Sequence, residues 1–182
     1  ADSNSISSSF IHFIYEDKRG ALWVTTRDGG VNRYDYQTEK FTSYKHNPLD
    51  STSIGNDKTG AVLEDSQGRF WVTTDGGVNQ FDVATGRFIR FSHDARNPNS
   101  LSDNEVTGFA EDEEGMLWIS TDDGLNRLDP LTRTFIHYFH DARTSNSLSD
   151  NRLLRVVPSR DGKLWVGTRG GGLNLLDPAT GT

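Results

Sequence analysis

Tryptophan recurs at positions 23, 71, 118 and 165, at spacings of 48, 47 and 47 residues. Each stands inside one recurring stretch: Gly20 to Asp35, Gly68 to Asp82, Gly115 to Asp129 and Gly162 to Asp177. A fixed period of this length marks a stacked or radial repeat architecture, in which no unit buries its apolar face alone. Each repeat places a large aromatic at one equivalent point, worth roughly 150–250 Å² of buried surface. A tryptophan is therefore expected in the core of every unit.

The segments around each Trp have a strand signature. The inner runs Phe10 to Tyr15, Thr59 to Leu63, Val106 to Ala110 and Leu153 to Val157 are short, β-branched or aromatic, and bounded by Ser, Asp and Asn. Each leads through a polar turn ending in Gly20, Gly68, Gly115 or Gly162 to a Trp-bearing strand, read as alternating in Leu22-Trp23-Val24-Thr25. A Gly-rich turn, a third strand such as Val78 to Asp82 and a fourth such as Arg87 to Phe91 complete the unit. No segment sustains a helical period. The fold class is all-β: β-propeller blades of four antiparallel strands. Hydrophobic content of 33% and 18 glycines fit thin layers joined by many turns.

The domain expected is a single, partial propeller over residues 1–182, with blades at about 9–45, 57–92, 104–139 and 151–182. The loops between blades also repeat: His93 to Asn104 matches His140 to Asn151, and His46 to Asp57 differs in reversing its last pair to Asn56-Asp57. The chain stops in the turn after Asp177, where other blades proceed to Phe41, Phe88 and Phe135, so the last blade is expected to lack its outer strand. Asn4 to Ser7 reads as the tail of another interblade loop. The expectation is a longer parent chain with further blades.

Composition excludes several classes. A net charge of −7 argues against a nucleic-acid partner, whose phosphates need a basic surface. The absence of cysteine excludes disulfides and thiolate metal sites. No apolar run is long enough to form a membrane-spanning helix. Nothing in the sequence implies a cofactor.

The Asn-Ser-Leu-Ser-Asp-Asn loop, then Glu-Asp-x-x-Gly-x-Leu-Trp-(Val/Ile)-x-Thr, then Gly-(Val/Leu)-Asn-Arg-(Tyr/Leu)-Asp, resembles the two-component regulator propeller repeat. The resemblance covers essentially the whole chain and recurs in each repeat. It implies the periplasmic sensor part of a membrane-anchored regulator, usually a histidine or hybrid kinase, with a seven-bladed ring in the intact protein. It also implies a small-molecule or oligosaccharide signal. The signalling chemistry itself would lie beyond Thr182.

Repetition separates residues that serve the blade from those that serve a ligand, because a site needs a residue once. Asn32, Asn79, Asn126 and Asn174, and Asp35, Asp82, Asp129 and Asp177, are read as turn and interblade hydrogen-bonding groups. His46, His93 and His140 recur at one position and are read as structural, with no metal site; the acidic run Glu111-Asp112-Glu113-Glu114 is read as a solvated turn. Candidate ligand-binding residues come from columns that vary, near the mouth of a central channel. Thirteen residues before each Trp stand Phe10, Lys58, Glu105 and Arg152. The next variable column holds His12, Gly60, Thr107 and Leu154, and Arg155 interrupts a small or apolar column. The turns after the second strand add Arg27, Asp75, Asp122 and Arg169. Mixed charges beside hydroxyls and aromatics suit a hydroxyl-rich or anionic ligand.

This pattern carries no catalytic set: no Cys nucleophile, no nucleophile-elbow Ser, and His12 with no evident His partner. The expected function is a non-enzymatic sensor domain. The alternatives are a propeller enzyme similar to the streptogramin lyases, and a protein-interaction or dimerisation module. An open propeller leaves blade edges exposed, so a homodimer closing eight blades, or association through those edges, is expected.

Overall fold

The computed structural model describes residues 5–181; Asn4 lies outside them. The chain divides into two compact units, residues 1–91 and 92–182. In the first, β1 (Ile11–Glu16), β2 (Leu22–Thr26), β3 (Val31–Asp35) and β4 (Lys40–Tyr44) form one antiparallel sheet in chain order. A second sheet holds β5 (Thr59–Glu64), β6 (Phe70–Thr74), β7 (Gly77–Asp82) and β8 (Arg87–Phe91). The second unit repeats the plan with β9 (Val106–Glu111), β10 (Leu117–Thr121), β11 (Gly124–Asp129) and β12 (Thr134–Tyr138). Its other sheet has three strands, β13 (Leu153–Pro158), β14 (Leu164–Thr168) and β15 (Leu173–Leu176), so the last blade has no outer strand among the described residues. These sheets are propeller blades, and the strands fall within a residue or two of the positions read from the sequence.

Within each unit the inner strand of the second blade lies against the first two strands of the blade before it. Trp23 stacks on Phe70 at 4.4 Å and meets Phe81 edge-on at 5.1 Å. Trp118 packs in a cluster with Leu153, Val156, Leu164 and Leu176. The Trp-bearing strands do not alternate as expected: every residue of β6 and β10 is buried. Side chains on both faces of these two strands are covered, so neither strand has a solvent side. Trp165 corrects a second expectation, since it is 40% exposed where Trp23, Trp71 and Trp118 are fully buried.

An aspartate six residues before the Trp organises the turn of three blades. Asp17, Asp65 and Asp112 each accept the indole N–H, at 2.8, 2.9 and 2.7 Å. Their other oxygen accepts two backbone N–H groups of the turn, from Arg19 and Ala21, Gln67 and Arg69, and Glu114 and Met116. Asp112 is therefore bound into the turn, and the reading of residues 111–114 as a solvated run fails at that position. The fourth blade has Ser159 here.

The recurring Asn residues sit within the third strand rather than in turns. Asn32, Asn79, Asn126 and Asn174 accept through Oδ1 from the backbone N–H of Ser7, Gly55, Ser102 and Ser149, at 2.8–3.1 Å, fastening each interblade loop to its blade. Asn126 is fully buried and also donates to Ser102 Oγ and the Ile119 carbonyl. Asn126→Ala is expected to cost about 2–3 kcal/mol, because it leaves buried groups without partners. A shift of the urea midpoint with unchanged slope is the measurement.

The recurring histidines close the same loops. Nδ1 of His46, His93 and His140 donates to the carbonyls of Ile54, Leu101 and Leu148. Their backbone N–H groups donate to Oδ1 of Asp57, Asn104 and Asn151. Oδ1 of the preceding residue in each pair, Asn56, Asp103 or Asp150, accepts from a backbone N–H two residues on. These backbone bonds need only an accepting oxygen at each position, so the reversed pair of the first loop makes both of them.

Several further aspartates cap turns in the same way. Backbone N–H of Thr38 and Gln37 holds the Asp35 carboxylate below its ordinary range, and the Thr85 hydroxyl with backbone N–H of Ala84 does so for Asp82. Asp94, Asp141 and Asp150 are lowered chiefly by backbone N–H of Arg96, Arg143 and Arg152. A carboxylate lowered in the folded state contributes stability above its unfolded value, near 3.8, and loses it as pH falls through the lower folded value. These groups therefore leave stability level from neutral pH down to about 4 and remove it below. Urea midpoints measured across pH test this; a decline centred between pH 7 and 5 would assign acid sensitivity elsewhere.

Candidate functional site

The candidate residues stand beside a bulge shared by the inner strands. In all four inner strands the ladder slips near its first residue: between Ile11 and Phe13, Thr59 and Val62, Val106 and Gly108, and Leu153 and Arg155. The bulge segment contains the variable column His12, Gly60, Thr107 and Leu154. A bulge bends the strand and re-aims its side chain. His12 is exposed, with Nδ1 donating to the Thr59 carbonyl at 2.8 Å, and Thr107 Oγ1 donates to Ser120 Oγ at 3.1 Å.

Just before the bulge, two candidate columns are joined by the backbone. N–H of Arg27 donates to the Phe10 carbonyl, Asp75 to Lys58, Asp122 to Glu105 and Arg169 to Arg152, at 2.8–3.2 Å. Each pair is separated by 17 residues in sequence. The backbone hydrogen bond explains that constant offset. The turn beyond is held by the last Thr of the second strand: Thr26, Thr74, Thr121 and Thr168 donate through Oγ1 to the carbonyls of Gly30, Gly77, Gly124 and Gly172. Gly30 and Gly124 need their positive φ there; a Cβ on Gly124 would stand 2.6 Å from the Phe139 ring.

In the first unit Lys58 Nζ lies 2.9 Å from Asp75 Oδ2, with both side chains more than half exposed. Such a pair contributes little to stability and leaves both groups open to a ligand. In the second unit the two pairs carry like charges, Glu105 with Asp122 and Arg152 with Arg169. The repulsion is offset between blades: Arg169 Nη2 lies 3.2 Å from Asp122 Oδ1 and 3.9 Å from Glu105 Oε1. Asp122 Oδ1 is shielded from water yet makes no well-aligned hydrogen bond, so charge alone holds it to Arg169. Arg152 reaches Asp150 Oδ2 of its own loop at 3.3 Å. Asp150 is a residue that the column comparison did not single out, because it recurs as Asp103.

Each unit thus gathers charged and hydroxyl-bearing groups where its inner strands begin. Arg155 does not join them. It pairs with Gly167 in the ladder and lies on the broad sheet face that also carries Trp165. An exposed guanidinium, an exposed ammonium and neighbouring carboxylates together offer donors and acceptors suited to ring hydroxyls or to an anionic group. They do not compose an acid–base or nucleophilic set around His12.

Sheets ordered by sequence, with face-packed Trp strands, define a protein of β-propeller blades. Three stretches of the chain, residues 5–28, 53–76 and 100–123, match the two-component regulator propeller family. Histidine kinase P4 of Formosa agariphila is 49% identical over 51 residues, which are 28% of this chain and 4% of that protein. The extracellular domain of BT4673 from B. thetaiotaomicron, described as a hybrid two-component system, is 26% identical, with a TM-score of 0.73. That alignment covers 96% of this chain and 22% of the other, so the chain spans about a fifth of that domain. Virginiamycin B lyase from Staphylococcus aureus superposes at a TM-score of 0.65 over 98% of this chain and 60% of its own, at 17% identity, a likeness of fold alone.

Proposed function

We propose that this chain is the ligand-sensing part of an extracytoplasmic, periplasmic domain in a membrane-anchored two-component regulator, and that it binds without turning its ligand over. The observation that carries the reading is the 26% identity, along nearly the whole chain, to the extracellular domain described as belonging to a hybrid two-component system. The ligand is a small hydroxyl-rich or anionic molecule, an oligosaccharide by preference. In the first unit Arg27 and Lys58 supply charge-assisted donors, Asp75 accepts ring hydroxyls and His12 adds a ring donor or acceptor. In the second unit Arg152 and Arg169 are the donors and Glu105 and Asp122 the acceptors. No metal or cofactor enters the reading.

The test is calorimetric titration of the chain with neutral, uronic-acid and sulfated oligosaccharides, with chromatography of the sugars afterwards. Saturable binding and unchanged sugars are expected. Lys58→Ala or Arg152→Ala is expected to weaken binding about tenfold, the loss of one charge-assisted hydrogen bond. Appearance of a cleaved or eliminated product that depends on His12 would instead establish the lyase-type reading.

A further inference from the structure

A polar cleft of about 340 Å³ opens in the first unit between β4, the loop that follows it and β8. Tyr44 and Lys45 line it from one blade, Arg87 and Phe88 from the next, and Asp50 and Thr52 from the loop. None of these residues belongs to the variable columns of the inner strands. The loop wall is fixed in place. Phe88 N–H donates to the Thr52 carbonyl at 2.7 Å, and Arg90 donates to the Ser53 and Asp50 carbonyls, each at 2.7 Å. Asp50 Oδ1 accepts the backbone N–H and the hydroxyl of Thr52, so its carboxylate is engaged inside the loop. The floor is apolar: Phe88 is buried, and the half-buried Tyr44 ring meets it edge-on at 6.0 Å.

The charges of the cleft have no matching acceptors. Lys45 and Arg87 are exposed, and among the described residues neither forms an ion pair. Arg90 spends its donors on carbonyls and the Ser53 hydroxyl, all neutral groups. Three cations therefore surround one carboxylate, in a protein whose net charge is −7. The repeat does not require them. The Lys45 column continues as Ser92 and Phe139, and the third blade has Thr134 at the Arg87 position. Nor does the backbone require Gly86, because Glu39 and Arg133 hold the same left-handed φ at that point of their blades. A Cβ on Gly86 would meet only Tyr44 Cε1, at 4.0 Å, so the missing side chain leaves the cleft open beside the ring.

We propose that this cleft is an oxyanion site, in which Lys45 and Arg87 hold the carboxylate or sulfate group of a small ligand whose body lies against Tyr44. Both cations offer charge-assisted donors, and a pocket of this volume admits a molecule of one or two rings. The site stands apart from the inner-strand residues and does not depend on the ligand assigned to them.

Amide-resolved nuclear magnetic resonance of the 182-residue chain tests this, in titrations with sodium sulfate and with sodium glucuronate against sodium chloride at equal ionic strength. Saturable shifts are expected at Lys45, Thr52 and Arg87 with at least one of the two anions, and which anion binds identifies the group the site takes. Lys45→Gln and Arg87→Gln are each expected to weaken that binding about tenfold, the loss of one charge-assisted hydrogen bond. Both side chains are exposed, so the melting temperature is expected to stay unchanged. Lys58→Ala is expected to leave the binding intact, which separates this site from the inner-strand one. Shifts no larger than those given by chloride overturn the proposal. So does binding that survives both glutamine variants, or binding that Lys58→Ala abolishes.

Discussion

Asp65→Ala is expected to destabilise the protein by about 3–5 kcal/mol, the range for removing one partner of a buried ion pair. Asp65 is fully buried and serves four donors at once. It accepts the Trp71 indole N–H, the backbone N–H groups of Gln67 and Arg69, and the Arg69 guanidinium. Alanine leaves the indole N–H and a largely buried guanidinium without an acceptor and removes the cap of the turn. Asp65→Asn retains an accepting oxygen for the turn and is expected to recover part of the loss, without the ion pair. Chemical denaturation of both variants measures the difference. An Asp65→Ala loss below about 1 kcal/mol, the size of a single ordinary hydrogen bond, would show that the hub is replaceable by water.

The second large effect contrasts two tryptophans. Trp118→Ala is expected to cost about 3–5 kcal/mol, as for other fully buried large side chains. Its ring is fully buried, bonds Asp112 and packs against Tyr138 at 5.3 Å, and the Arg127 guanidinium stands over it at 5.8 Å. Trp165→Ala is expected to cost only about 1–2 kcal/mol in the monomer, because its ring is 40% exposed. At this chain length each kcal/mol moves the melting temperature by roughly 2–4 °C, so the two are separable by calorimetry. Equal losses would mean that the repeat position, and not its burial, sets the energy.

These contrasts show what the sequence made legible. The Trp period located every blade, and the strands followed from short apolar runs between Gly and Asp. The roles of Asp35, Asp82 and the loop histidines were also readable, since local turn chemistry acts over two to eleven residues. Asp65 was not. A carboxylate in a polar turn looks solvated until the chain brings the indole of Trp71 to it, six residues away on the next strand. The candidate site was legible as two variable columns, but not as pairs. The bond from Arg169 N–H to the Arg152 carbonyl, and the reach of Arg169 to Asp122 of the preceding blade, depend on strand register and blade packing. Arg155 was misplaced for the same reason: the bulge at Leu154 puts it on the Trp165 face.

The central claim is that repeated columns serve the blade and variable columns serve the ligand. Thermal denaturation with and without a bound oligosaccharide, applied to Asp112→Ala and Arg152→Ala, tests it most directly. Asp112→Ala is expected to lower the unliganded melting temperature and keep the ligand-induced rise. Arg152→Ala is expected to keep the unliganded melting temperature and lose most of that rise. An Arg152→Ala protein that melts as early as Asp112→Ala, or that retains the full ligand-induced rise, would contradict the account.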